Sequence, residues 1–403
     1  MISLSNKKIS NLIFWIIIGY IFIRPIICDQ IFFYLDVSIN LIFFISAFIM
    51  IKINHSVNYK NNNIQIFTLV FFISLIFAFV VSKNYLNSLI TIPKYFSAAI
   101  LFYLICIAGK KNKNQLIITL LLSAILVCLL SLRVLFISSK YVKAYLSSHN
   151  INYPFAFDYL ERNRAFAPFI SPNLLACYLA MIIFLSLGIV LQYLKEKRKV
   201  LMLFLTILGI GLFSYVFFLT QSFGAWLIFF IVMLLFFYAT KFINTKAIAI
   251  IILMLIIIGT IFNLRIDKSK PHTQLLFSAE KRLSYWKETL NLIKHYPISG
   301  LGIGNFNLRE TRNAHNSYLQ IWAETGLFGL LSWLGIITVF IRSGIKLILT
   351  KQLSNYRLGI FLAGIYFILH NFIESALFFY QVAFLWWVIL ALYSSDEPLS
   401  FST

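Results

Sequence analysis

Charge is scarce in this chain. Only 12% of its 403 residues are charged, and 34 of these are basic against 13 acidic. An ordinary soluble surface cannot be built from such a composition, which is 61% hydrophobic with a mean hydropathy of +0.88. Cysteine is sparse too. Cys28, Cys106, Cys128 and Cys177 lie in or at the ends of apolar runs without metal-ligand spacing, so they read as small packing residues. No internal repeat is evident. No small-residue cleavage site follows Lys7-Lys8 before the second apolar run, so the first run reads as a retained signal anchor with no soluble domain ahead of it.

What the chain does have is long apolar runs, each long enough to cross a hydrocarbon core of roughly 30 Å as a helix. They predict an all-α, polytopic membrane protein with about twelve spans. The expected spans are 11–28, 31–51, 64–82, 89–109, 115–137, 172–193, 200–219, 223–240, 247–263, 327–349, 358–373 and 378–393. Residues 1–403 then form one integral-membrane domain, with outer loops at 138–171 and 264–326.

Basic residues in short loops set the expected orientation, because cytoplasmic connections hold an excess of Lys and Arg. With the amino terminus inside, the inner segments carry Lys7, Lys8, Lys52, Lys60, Lys110, Lys111, Lys113, the cluster Lys195-Glu196-Lys197-Arg198-Lys199, Lys241, Lys246, Arg342, Lys346, Lys351 and Arg357. Short outer connections hold only Arg24, Lys83 and Lys94, and both termini fall in the cytoplasm.

The formal charge of +21 has a bland reading, topology plus an AT-rich coding bias, since Ile, Asn, Lys and Phe are all abundant. The arginines are more selective. Arg162, Arg164, Arg265, Arg282, Arg309 and Arg312 crowd the two outer loops, and a guanidinium is a planar fork that matches phosphate oxygens. An anionic ligand fits that face. Nucleic acid does not, because the arginines lie among membrane spans outside the cytoplasm; a phosphorylated lipid does.

The first outer loop mixes Tyr141, Tyr145, Tyr153, Phe155, Phe157 and Tyr159 with polar residues. Such aromatics form interfacial belts and can also stack on sugar rings. Ser171 and Pro172 then supply an N-cap and a first helical position near Arg164. In the second loop, Leu283, Trp286, Leu290 and Ile293 form a helical stripe with Ser278 placed to cap it, predicting an interfacial helix that Pro297 ends. Gly300, Gly302 and Gly304 read as a tight turn, since a nucleotide loop needs a preceding strand and another spacing. His315 follows in the polar island Arg312-Asn313-Ala314-His315-Asn316-Ser317-Tyr318-Leu319-Gln320, where a helix would set it on one face with Tyr318, Leu319 and Trp322. It reads either as a structural histidine or as a general base for a sugar hydroxyl.

Three runs carry a family resemblance. Arg282-Leu283-Ser284-Tyr285-Trp286, His295-Tyr296-Pro297 through Gly304-Asn305-Phe306, and Ala314-His315-Asn316-Ser317-Tyr318 through Glu324-Thr325-Gly326 together resemble the O-antigen ligase and polymerase family. The similarity extends more weakly to Arg164 through Ala176 and to the order of the spans. The resemblance implies a GT-C-like multispan glycosyltransferase at the outer face of the bacterial cytoplasmic membrane, drawing on undecaprenyl diphosphate-linked glycan and needing neither metal nor nucleotide cofactor. Its acceptor would be a lipid A core in a ligase, or a second lipid-linked glycan in a polymerase. It further implies that Arg282 engages the diphosphate and that His315 activates the acceptor.

Arg164 and Arg265 are further candidates for the diphosphate, and Arg312, Asn316 and Glu374 for supporting or acceptor contacts. Glu374, in His370-Asn371-Phe372-Ile373-Glu374-Ser375, reads equally as a capping charge. One departure stands out. Phe223, in Thr220-Gln221-Ser222-Phe223, occupies a position where the family usually has an arginine; Arg164, Arg162 or Arg265 would have to compensate, or else the enzyme is weakened or its donor has shifted. A transporter is the alternative of another class, with Asp36 and Arg133 as its in-span ionisable residues.

Overall fold

The computed structural model describes residues 4–28, 33–53, 63–107, 110–148, 154–196, 200–241, 256, 260 and 275–395. The described elements are helical, without a strand. The chain runs through α1 (Leu4–Ile23), α2 (Phe33–Ile53), α3 (Asn63–Val80), α4 (Tyr85–Ile107) and α5 (Lys110–Leu132). A π-helical segment, Arg133–Ser138, carries α5 straight into α6 (Ser139–Ser148), so the expected loop at 138–171 begins as helix and contains a second one, α7 (Pro154–Glu161). Then come α8 (Pro172–Glu196), α9 (Val200–Leu219), α10 (Phe223–Thr240), α11 (Leu275–His295), α12 (Ser317–Leu349), α13 (Asn355–His370) and α14 (Tyr380–Ser394).

Seven helices among the described residues are long and apolar enough to cross a membrane: α3, α4, the continuous run 112–144, α8, α9, α10 and α12. Shorter apolar stretches lie in α1, α2 and α14. Of the expected span 247–263 only residues 256 and 260 are described; each of the others falls on a helix, with 11–28 running past α1, which ends at Ile23, and 358–373 past α13, which ends at His370. The chain is a multi-pass membrane protein.

Burial sorts the helices. In α8, 83% of the apolar window is buried, against 17% in α9, whose Val200, Leu201, Phe204 and Leu208 face outward as a lipid-facing helix requires. α13 and α14 are buried along nearly their whole length and form the centre with α8. The α8–α13 contact is set by two glycines: a Cβ on Gly188 would stand 2.7 Å from the Gly359 Cα, so only small residues allow these backbones to meet. Elsewhere in the bundle Arg24, just past α1, forms a fully buried ion pair with Asp36 on α2. Asn40, Tyr20 and Tyr380 extend this polar network, with Tyr20 Oη donating to Asn40 Oδ1 at 2.9 Å.

α12 has 33 residues, about 50 Å at 1.5 Å per residue, and exceeds any bilayer core. It is broken at Gly326 (φ 67°, ψ −168°) into an arm, 317–325, and a membrane-crossing remainder. The break frees carbonyls, and the glycine-rich turn takes them: Leu301 N donates to Ala323 O at 2.8 Å and Gly302 N to Glu324 O at 2.9 Å, while Leu327 N donates to Pro297 O at 3.1 Å. Gly300, Gly302 and Gly304 all adopt positive φ in that turn, as its sequence predicts. A small satellite core of Ile293, Phe306, Leu308, Ala314 and Ala323 seals α11 onto the arm.

Gly326→Ala combines a positive φ with a collision between its Cβ and the Ile298 carbonyl. It should destabilise the protein by about 1–3 kcal/mol or more, read as a lower Tm of the detergent-purified chain. Gly211→Ala, on α9 with nothing within 4 Å of the new Cβ, should stay within about 0.5 kcal/mol of the parent.

Candidate functional site

The site grows from the start of the α12 arm. Asn316 is the N-cap, its Oδ1 accepting from Tyr318 N at 3.0 Å and Leu319 N at 3.1 Å, so this candidate residue serves the helix. His315 therefore precedes the helix rather than sharing a face with Tyr318 and Trp322 as the spacing predicts. Its φ of 49° lies in the left-handed region, which a non-glycine residue occupies only when its surroundings hold it there.

Glu374 does much of that holding. His315 Nδ1 lies 2.8 Å from Glu374 Oε1, while Oε2 accepts from Asn173 Nδ2 at 2.9 Å and Oε1 also accepts from Ser375 N at 3.2 Å. Burial pushes the Glu374 carboxyl upward, but the His315 charge and hydrogen bond, the Arg282 charge and the Asn173 amide outweigh it and hold the group well below the usual carboxylate range. An ionised carboxylate only accepts, so Nδ1–H donates in this pair, and whenever the imidazole is neutral Nε2 bears the free lone pair. The carboxylate–histidine arrangement is that of an oriented general base.

The linker bearing Glu374 is itself pinned. Ser317 N donates to Asn371 O at 2.9 Å, Leu377 N to Asn371 Oδ1 at 3.0 Å, and the Ser317 hydroxyl to the Asn371 side chain. Arg282 reaches the same linker from α11, its Nε donating to Ile373 O at 3.1 Å. One turn on, the Tyr285 ring stacks on His315, with centroids 5.7 Å apart and planes at 24°.

α11 starts earlier than expected, and its expected stripe divides between two sides. It begins at Leu275, which places Ser278 inside the helix rather than at its cap. Of the expected stripe, Leu283 and Leu290 are exposed and available to a lipid surface, while Tyr285, Thr289, Leu292 and Ile293 face the arm. The interfacial helix thus has two apolar sides, and the buried one aims Arg282 and Tyr285 at the site.

Arg164 enters from another direction. It is 7% exposed, and its Nε donates to Thr220 O at 3.0 Å in the turn between α9 and α10. That turn touches the cluster twice: Ser222 Oγ donates to Asn173 Oδ1 at 2.8 Å, and a Cβ on Gly224 would strike the Ile373 side chain. A hydrogen-bonded chain therefore runs from Ser222 through Asn173 and Glu374 to His315. Phe223, where the family has arginine, packs edge-on against Trp226 at 5.4 Å on the rim of the same cluster. The Ser171 cap forms as its sequence predicts, with Leu174 N 3.3 Å from Ser171 Oγ, and it is what brings Asn173 to Glu374.

The other candidates lie elsewhere. Arg312 is exposed and lines a neighbouring groove, Arg162 is paired with Asp158 at 2.7 Å, and Arg265 lies outside the described residues. Asn173, Asn371 and Ser317 were not singled out by sequence, although each is a polar residue at the edge of an apolar span. Among the described residues no group of three or more His, Cys, Asp or Glu is placed to hold a metal ion.

Glu374→Gln removes the charge and leaves a buried neighbourhood arranged for it. It should cost about 1 kcal/mol at pH 7, measured as a lower Tm in detergent. Because the folded carboxyl lies below its ordinary value, that contribution is fully present above the ordinary carboxylate range. It fades only as pH falls through the lowered value, so the Tm gap between parent and variant should persist at pH 5 and close in stronger acid.

Comparison with known proteins supports the resemblance read from the motifs. No curated protein matches the chain. Residues 208–334 match the family model described as O-Antigen ligase, a stretch that runs from α9 into α12 and includes the Thr220–Phe223 turn, Arg282 and His315. This segment of the chain is similar to the O-antigen ligase family.

Proposed function

We propose that this protein is a glycosyltransferase that moves a glycan from undecaprenyl diphosphate to a lipid A core saccharide at the outer face of the bacterial cytoplasmic membrane, with both termini inside. The observation that carries the proposal is the His315–Glu374 pair with Arg282 bound to the peptide next to Glu374. His315 Nε2 takes the proton of the acceptor hydroxyl as its oxygen attacks the anomeric carbon. The bond from that carbon to the diphosphate breaks, and the electron pair leaves with undecaprenyl diphosphate. One displacement from the opposite face inverts the anomeric centre.

Charge builds on the departing diphosphate, and fixed guanidinium groups in a partly dehydrated site stabilise it without reorganising. Arg282 is the first of these. Arg164 supplies the cation on the side where Phe223 replaces arginine, since it grips the same turn from below. Glu374 acts through His315 as a positioning residue rather than on the acceptor.

Transport finds less support. Asp36 is neutralised within the bundle by Arg24, and Arg133 is exposed, so neither forms a midplane site.

His315→Ala should lower transfer by about 10²–10⁴-fold, and Arg282→Lys by about 10²-fold with the fork geometry lost, at unchanged protein level. Both are measured by reintroducing the variant into a strain lacking the gene and analysing its surface glycan. Loss of glycan-capped lipopolysaccharide with lipid-linked polymer accumulating supports ligation. Single repeats still attached, with chain length lost, would instead identify a polymerase. Normal glycan in His315→Ala would overturn the assignment.

A further inference from the structure

A groove that does not include His315 opens beside it. It consists of two adjoining cavities of about 200 and 390 Å³ that share Thr91, Gly304, Phe306 and Arg312. Together they reach the size range of small-ligand sites. α4 forms one wall, the stretch after the glycine turn another, and Arg312-Asn313 the rim.

The chemistry of the lining is graded. At the rim stand Arg312 and Asn307, both exposed, with Lys94 half-buried on α4. Deeper lie aromatic faces, Phe306 and Trp387, and on the floor is Glu324, 2% exposed. Glu324 accepts from Gly304 N at 2.7 Å and from Gln320 Nε2 at 3.1 Å, and no ion pair is formed by it among the described residues. Amides, a carboxyl that bonds hydroxyls, and ring faces for C–H surfaces are what a saccharide requires. Burial pushes the Glu324 carboxyl up to about 7, so the floor carries little fixed charge and can donate to a saccharide as well as accept from it; an anion is favoured at the rim, between two cations.

The floor is also coupled to the catalytic histidine. Gln320, held by Glu324, accepts through Oε1 from Ala314 N at 3.1 Å, the peptide immediately before His315. Asn313, which lines the groove, is two residues from His315, a separation of at most about 7 Å along the backbone. A saccharide seated here would present a hydroxyl within reach of the base, while Arg282 and Arg164 lie on the side served by Glu374.

We infer that this groove binds the acceptor saccharide, and that it selects one bearing an anionic substituent, phosphate or carboxylate, held at the rim between Arg312 and Lys94. The inference rests on the transferase reading for the word acceptor, and on the groove alone for the saccharide. The test uses the full chain in lipid nanodiscs, titrated with trigalacturonic acid and with its carboxyl-reduced neutral form by saturation-transfer NMR. The parent should bind the acidic probe about tenfold more tightly, as one charge-assisted contact provides, and Arg312→Ala should erase the preference. His315→Ala should bind both probes as the parent does. In transfer assays Arg312→Ala should raise the acceptor KM about tenfold with kcat and the donor KM unchanged.

Equal affinity for the two probes, or binding of neither, would overturn the proposal. So would an unchanged acceptor KM in Arg312→Ala, or a rise in the donor KM instead, while leaving transfer itself standing. Selective probe binding that depends on Arg312, in a chain that transfers no glycan, would support the groove and remove the transferase reading.

Discussion

A single buried carboxylate organises one end of this protein. Glu374 sits where desolvation alone would neutralise it, and an isolated buried charge there would cost several kcal/mol. The fold answers with partners drawn from distant parts of the chain: His315 from the α12 arm, Asn173 from the start of α8, and Arg282 from α11 through its charge. Each partner needs its own support. Asn173 depends on the Ser171–Pro172 helix start, His315 on the Asn316 cap, and the linker itself on Asn371. Satisfying one carboxylate therefore fixes the histidine tautomer, the left-handed turn at His315 and the approach of α11 together.

The break at Gly326 makes that arrangement geometrically possible. An unbroken α12 would carry the arm away along the helix axis. The interruption turns it aside, and the carbonyls it releases are bonded by the Leu301 and Gly302 amides. The glycine-rich turn is thus neither a phosphate loop nor a passive connector. It splints the arm, and Gly304 passes its amide to Glu324, which makes the same turn part of the adjoining groove. The His315–Glu374 cluster and the adjoining groove consequently flank one short polar segment, 312–320, whose two faces are tied by Gln320.

Much of this was legible in the sequence. Apolar runs and the scarcity of charge predicted helices almost wherever they occur, because in a bilayer a helix is the local solution to backbone hydrogen bonding. Ser171-Pro172, Pro297 and the three glycines marked their turns correctly, since capping and positive φ are local requirements. Local reasoning failed where long-range packing intervenes. The stripe Leu283, Trp286, Leu290 and Ile293 marked an interfacial helix, but it could not show that Tyr285, Leu292 and Ile293 pack toward the α12 arm while Leu283 and Leu290 stay exposed. His315 looked helical from its spacing, and only the side chain of Asn316 beginning the helix after it shows otherwise.

The sequence by itself determined the class of protein, the position of most helices and the family that the 208–334 segment resembles. It could not determine that Glu374 is the partner of His315, 59 residues away, or that Asn173 and Ser222 join them from two other helix starts. Nor could it separate Arg164, gripping the Thr220 turn, from Arg312, set at the rim of another groove. Those assignments belong to tertiary structure for a physical reason. Helix formation and capping are decided by neighbours within a few residues, whereas neutralising a buried charge depends on which groups the packed helices bring within hydrogen-bond reach.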